Sequence, residues 1–284
     1  MSEFPPPTVA HCTRHPDRVT GRSCTRCGRP ACGECLVQAS VGSQCIDCLR
    51  RSRPSASTRV RYWNARQSIL VTLALIVINV GVFVWVVSGD VGAAGFGSQV
   101  SEREFQLGLN KFVLQITGEW YRLVTAGFLH FGILHIGMNM WLLYQLGQML
   151  EPPLGRLRFG LLYMASLLGG SLGALVIQAD RGGLHGGASG AVFGLMAAAA
   201  IGMQRRGMNV FQTGIGALLV INLVLTFTIP GISIGGHVGG AVAGALCGVV
   251  MLAPSWKPAP TWATYLAPLA VGVGAVLISV QVAG

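Results

Sequence analysis

The chain has 284 residues, of which 52% are hydrophobic and 11% charged, with 40 glycines and a formal net charge of +10; its mean hydropathy is +0.58. An average soluble domain carries roughly 25% charge, so little room is left for a water-soluble globular protein. The positive balance suits nucleic acid or an anionic surface unless the placement of the charges says otherwise. Seven of the eight cysteines lie between residues 12 and 48, and the first 66 residues hold 11 of the 20 basic ones. The chain therefore divides into a polar head (1–50), a basic linker (51–66) and an apolar, glycine-rich body.

In the head, four ligand pairs each enclose two residues: Cys12 with His15, Cys24 with Cys27, Cys32 with Cys35, and Cys45 with Cys48. That spacer lets both side chains of a knuckle reach one tetrahedral ion, and soft thiolates with one imidazole suit zinc. Eight ligands make two four-coordinate structural zinc sites. Disulfides are the alternative, but a reducing cytoplasm and the repeated spacing favour metal. With so few large apolar residues the head has no core without metal. Over residues 11–48 it resembles the B-box type of zinc finger. That resemblance implies cross-bracing, in which Cys12, His15, Cys32 and Cys35 share one ion and Cys24, Cys27, Cys45 and Cys48 the other; the spacing alone equally allows sequential pairing. The head reads as a structural module that docks a cytosolic protein partner. Nucleic acid is not expected, because Arg50 to Arg66 serve as a membrane-proximal basic segment.

A helix crossing ~30 Å of hydrocarbon needs about 20 mostly apolar residues. Runs of that kind predict spans near 68–88, 128–150, 157–179, 186–204, 209–229, 235–254 and 262–282. The predicted fold class is thus an all-α polytopic membrane protein with seven spans, preceded by a small zinc-bound domain. Small residues let membrane helices approach closely, and Gly186, Gly187 and Gly190 are expected to face Gly236, Gly239 and Gly240. Lys and Arg set orientation. With the N-terminus cytoplasmic, the inner flanks carry Arg50, Arg51, Arg53, Arg59, Arg61, Arg66, Arg156, Arg158, Arg205, Arg206 and Lys257, against Arg103, Lys111, Arg122 and Arg181 outside. The C-terminus is then also outside. The long outer connection, about 89–121, exceeds a bare turn, as functional connections often do.

Ionisable and polar groups within spans are functional candidates. The second span carries His130, His135 and Asn139, the last two on one helical face. The fourth opens Gly186-Gly187-Ala188-Ser189-Gly190, and the sixth contains His237. Ser189 and His237 each lie near the outer end of their helices and can meet. A serine beside a histidine has the parts for acyl transfer: His237 takes the hydroxyl proton, while His135, Asn139 and the Ser189 N–H hold the oxyanion. With no acidic residue near His237, packing is expected to orient it. Taken singly, each of these residues is more often a packing or hydrogen-bonding group; together, on three spans, they are far more specific.

From about residue 66 to 254 the chain resembles the rhomboid intramembrane serine proteases. Trp120-x-Arg122 resembles an element of that family's first loop. His130-x4-His135-x3-Asn139, Gly187-x-Ser189-Gly190, and His237 with Gly240 and Gly244 match its motifs, and Glu151 matches the acidic residue ending its second helix. The resemblance implies a six-helix core over 67–255, extended by a seventh span within 256–284. It implies Ser189 as nucleophile, His237 as base, His135 and Asn139 as oxyanion stabilisers and His130 as a supporting residue, with no cofactor for catalysis. Substrates are then transmembrane segments of membrane proteins, which enter from the lipid bilayer and are cut by a site open to the extracytoplasmic side. The expected setting is a bacterial plasma membrane. Family members often carry Tyr one turn after the serine; Phe193 here keeps the ring face for stacking on His237 without the hydroxyl. His185 matches no family role. The alternative function is a catalytically inactive rhomboid-like protein that binds membrane clients. A transporter fits less well, lacking a paired ionisable pathway.

Overall fold

The computed structural model describes residues 9–39, 41–53, 55, 69–95, 100–177, 183–229 and 231–284. Most of the expected basic linker, with Arg59, Arg61 and Arg66, lies outside the described residues, as do the first residue of the expected first span and Arg181. The chain divides into two compact units, 1–67 and 68–284.

Among the described residues, the first unit holds two antiparallel hairpins, a 3-10 turn (Gly33–Cys35) and a short helix. Strand β1 (His11–Cys12) pairs with β2 (His15–Val19), and β3 (Leu36–Gln38) pairs with β4 (Ser43–Cys45), followed by α1 (Ile46–Ser52). Its buried core is Cys12, Cys24, Ala31, Cys35, Cys45 and Cys48, while Val9, Val19, Val37 and Val41 are exposed. A core made almost wholly of thiols cannot supply the hydrophobic stabilisation that ordering this chain requires.

The second unit is helical. Seven helices stand where spans were predicted: α2 (Leu70–Gly89), then after the outer connection α6 (Ile133–Leu154), α7 (Arg156–Ile177), α8 (Ser189–Gln204), α9 (Gly214–Thr228), α10 (Ile234–Met251) and α11 (Thr261–Ala283). Among its described residues, the outer connection holds 3-10 turns (Val91–Ala94 and Ala126–Phe128) and three short helices, α3 (Glu102–Leu107), α4 (Lys111–Thr117) and α5 (Arg122–Thr125). By length and composition α2, α7, α10 and α11 can cross a membrane, and 122–128 with α6 makes a fifth candidate bent by 94°. Helices α8 and α9 are shorter than predicted. At 1.5 Å per residue they span roughly 24 and 22 Å, short of the ~30 Å core. The chain ahead of α8 is non-helical, with Gly187 at φ +139°, and a 3-10 turn at Val210–Gln212 occupies the start of the predicted fifth span. Helix α6 likewise begins five residues later than predicted, after Gly132 at φ +89°.

Close backbone approach sets the order of the bundle, with a register different from the predicted one. Helix α10 lies against both α7 and α8. Toward α8, a Cβ at Gly240 would run into the Gly190 carbonyl and one at Gly244 into Gly194; toward α7, Gly239 lies against Gly169 and Gly173. Gly239 thus faces α7 rather than the serine helix, and Gly186 meets Leu129. A helix buried between two neighbours needs small residues on two faces, which a single seam does not provide. Helix α11 packs on α7, and the Arg158 guanidinium lies 5.7 Å from the Tyr265 ring.

Buried polar groups tie the ends of the bundle. The Glu151 carboxylate, in the last turn of α6, accepts N–H bonds from Val71 and Thr72, both 2.8 Å, and the Thr72 hydroxyl at 2.6 Å. It caps the first turn of α2, whose N–H groups have no acceptor within the helix. In the outer connection, buried Arg122 pairs with Glu119 at 2.7 Å and donates to the carbonyls of Gly108, at 2.8 Å, and Phe105. That pairing holds the Glu119 carboxyl below its ordinary range.

Candidate active site and metal clusters

The chemistry-bearing side chains of the body gather where three helices begin. His135 is the third residue of α6, Ser189 the first of α8 and His237 the fourth of α10. Each helix N-terminus carries about half a positive elementary charge, and the N–H groups of its first turn have no intrahelical acceptor. Their convergence favours negative charge at this spot.

His237 Nε2 lies 2.8 Å from Ser189 Oγ. On the other side of the ring, Nδ1 lies 2.7 Å from Thr226 Oγ1 in α9. Phe193, one turn after Ser189, stacks on His237 with ring centroids 4.1 Å apart and planes 18° apart. The histidine expected to be held by packing alone is therefore also hydrogen-bonded on both nitrogens. Thr226 is the residue the sequence reading missed. Its signal was present, since Asn222 and Thr226 stand one helical turn apart in a stretch whose other polar side chain is Thr228.

His135 has the opposite arrangement. Its Nδ1 accepts the Phe131 N–H at 3.2 Å, which in a neutral ring leaves the proton on Nε2. That Nε2 lies close against Gly187. A Cβ built on Gly187 would stand 2.9 Å from His135 Nε2 and 3.4 Å from Ser189 Oγ. With φ at +139° the residue is also in a conformation that side chains disfavour. The absence of a side chain at Gly187 lets His135 Nε2 and Ser189 Oγ both come close to one point of the backbone, which brings together a hydroxyl nucleophile and an N–H donor, the two groups that acyl transfer must bring to one carbonyl.

The remaining residues frame this arrangement. His130 is fully buried; its Nδ1 meets the Phe128 carbonyl at 3.3 Å and its Nε2 accepts the Ala188 N–H at 3.4 Å, which pins the segment entering Ser189. Asn139 is buried one turn along from His135 and donates one N–H of Nδ2 to the His135 carbonyl at 2.9 Å. His185 acts through its backbone, exchanging two 2.8 Å bonds with Leu109, so that the outer connection is stitched to the segment preceding the serine.

In the first unit the eight predicted ligands form two groups, Cys12 with His15, Cys32 and Cys35, and Cys24 with Cys27, Cys45 and Cys48. This is the cross-braced grouping, and in each set the ligand atoms lie within 4.8 Å of one another. Two sulfurs on one tetrahedral zinc, bonded at about 2.3 Å, stand about 3.8 Å apart. Cys27 Sγ and Cys45 Sγ are 3.8 Å apart, and His15 Nδ1 is 3.4 Å from the sulfurs of Cys32 and Cys35 and 3.9 Å from that of Cys12. The donor sets thus fit a metal ion of that size. Charge also favours one. The Cys45 N–H brings the Cys24 thiol down to about 6, and the Cys32 backbone does the same for Cys12. The hydrogen bond that the Cys48 thiol donates to Cys27 pushes Cys48 up to about 12, and burial pushes Cys35 up to about 11. Thiols so close cannot all ionise together without a cation between them.

Comparison with known proteins adds a likeness. Residues 117–254 match the Rhomboid domain. The chain is similar to the rhomboid protease GluP of Bacillus subtilis (strain 168), 33% identical over 144 residues, which are 50% of this chain and 28% of that protein. It is also similar to RHOMBOID-like protein 6, mitochondrial, of Arabidopsis thaliana, 46% identical over 89 residues (31% of this chain, 28% of the relative). RHOMBOID-like protein 5 of the same plant is 34% identical over 140 residues, 48% of this chain and 45% of the relative. The chain therefore spans less than half the length of each of these relatives. The motif-based resemblance to rhomboids is borne out over this stretch.

Proposed function

Because the chain carries a rhomboid domain over residues 117–254, we propose that it is an intramembrane serine endopeptidase that cleaves the transmembrane segments of membrane proteins. The observation that carries this reading is the 2.8 Å contact between Ser189 Oγ and His237 Nε2, with His135 Nε2 close by across Gly187. Ser189 Oγ attacks the scissile carbonyl carbon as its proton passes to His237 Nε2. The resulting oxyanion is held by His135 Nε2–H and the Ser189 N–H, with the three helix N-termini adding to its stabilisation. The C–N bond then breaks, and His237 returns the proton to the departing amine. Water, deprotonated by the same nitrogen, hydrolyses the acyl-enzyme and restores the serine. Asn139 supports this donor set by fixing the first turns of α6.

The site lies at the ends of α6, α8 and α10 opposite Arg156, Arg205 and Arg206, so by the basic-flank rule it opens to the extracytoplasmic side and the head is cytoplasmic. The relatives named above come from a bacterium and a plant, so the likeness points to a membrane and not to a particular one. In the head, the two donor sets each hold one structural zinc ion, which supplies the cross-links that a hydrophobic core otherwise provides.

The test compares wild type with Ser189→Ala in detergent, using a fluorophosphonate probe and a single-span test substrate. The expected result is probe labelling and cleavage by wild type, with both lost in a folded Ser189→Ala protein, a drop of at least about 10³-fold in rate. Undiminished cleavage by Ser189→Ala overturns the assignment. Folded wild type that neither labels nor cleaves moves the function to a non-catalytic client binder.

A further inference from the structure

Helix α9 is mostly exposed along its length, including Ile221, Val224 and Phe227. Apart from Gly216, its one fully buried residue is Thr226, at 2% exposure. The Thr226 hydroxyl lies 2.6 Å from the Asn222 carbonyl and 2.7 Å from His237 Nδ1. A carbonyl can only accept, so the single hydroxyl proton goes to Asn222. Oγ1 then faces Nδ1 with its lone pairs, and Nδ1 must carry the ring proton for both contacts to be hydrogen bonds. In the neutral imidazole this leaves Nε2 unprotonated, which is the form that can accept from Ser189 Oγ 2.8 Å away.

Resting on the reading of Ser189 and His237 as a catalytic pair, we infer that Thr226 is a positioning residue that fixes the tautomer and ring orientation of His237. It fills the place that a carboxylate takes in a three-membered triad, with a neutral acceptor suited to an apolar bundle. A carboxylate there would have to be desolvated within the spans, whereas a threonine satisfies its own proton on the preceding turn. The imidazolium that forms during catalysis keeps its Nδ1–H bond to Oγ1, so no group has to reorganise as the proton arrives.

The experiment uses the full chain in detergent with ¹⁵N-labelled histidine, His237→Ala identifying the His237 signals. Thr226→Val keeps the branched shape and removes the acceptor, Thr226→Ser keeps the hydroxyl, and Thr226→Ala is a second deletion should the Val variant fail to fold. Wild type is expected to show His237 with the proton on Nδ1. In Thr226→Val, and equally in Thr226→Ala, that signal should split between the two tautomers and kcat should fall roughly 10- to 100-fold, with KM within about twofold. Thr226→Ser should recover kcat to within about threefold of wild type and restore the Nδ1 signal. A deletion variant that keeps both the Nδ1 tautomer and wild-type kcat overturns the inference. So does a Thr226→Ser protein as impaired as the deletions, since that marks packing rather than hydrogen bonding. The tautomer measurement needs no turnover, so it judges Thr226 even if the pair proves non-catalytic, a failure that probe labelling reports separately.

Discussion

Phe193 lies face to face with His237, its ring centroid 4.1 Å away and the two planes 18° apart. The ring covers one face of the imidazole while Thr226 and Ser189 hold its two nitrogens. Phe193→Leu keeps most of the buried volume and removes the aromatic face. It is expected to cost about 0.5–1.5 kcal/mol of stability and to lower kcat several-fold. Phe193→Ala should cost about 3–5 kcal/mol. Unfolding in detergent and steady-state cleavage check both, and a Leu variant equal to wild type in each would show that the stacking contributes nothing.

A methyl group at Gly187 would occupy the position between His135 Nε2 and Ser189 Oγ. Gly187→Ala is therefore expected to lower the rate of fluorophosphonate labelling by about 10²- to 10³-fold, the usual scale for losing an oxyanion contact. Its backbone conformation adds a stability cost of about 1–3 kcal/mol. Labelling at the wild-type rate by a folded Gly187→Ala protein would place the carbonyl site elsewhere.

Glu151 joins α6 to the start of α2 through three short hydrogen bonds, at the far end of α6 from His135. Glu151→Gln replaces one acceptor oxygen by a donor that faces other donors. The expected loss is about 1.5–3 kcal/mol, read as a lower unfolding temperature, with labelling of Ser189 within about twofold below that temperature. A large loss of labelling without loss of stability would tie this carboxylate to the active site instead.

Metal content tests the head. Elemental analysis should find about two zinc ions per chain, by the donor count of four per ion. Cys24→Ser should remove one and leave the set containing Cys12 and His15 loaded. Because each ligating thiol must give up its proton, zinc affinity should fall as pH falls, and acid combined with a chelator should empty both sets and unfold the head. A ratio near zero or one in wild type would contradict the eight-ligand assignment.

Much of this molecule is legible in local sequence. Seven apolar runs locate seven helices because each run must satisfy its own backbone hydrogen bonds within one segment. The two-residue knuckles announce metal because both ligands of a pair sit on one turn. Gly187-x-Ser189-Gly190 and His237 mark a site because polar groups are scarce in so apolar a body. What local spacing cannot carry is the relation between distant segments. Which cysteine pairs come together in one donor set, and that Gly239 faces α7 while Gly240 faces α8, depend on how the elements pack. The two histidines differ for the same reason. His135 offers a proton at Nε2 because the Phe131 N–H occupies its Nδ1, whereas His237 offers a lone pair at Nε2 because Thr226, on another helix, accepts from its Nδ1. Both are simply histidine in the sequence; the hydrogen bond on the far side of each ring, made by tertiary structure, decides which donates and which accepts.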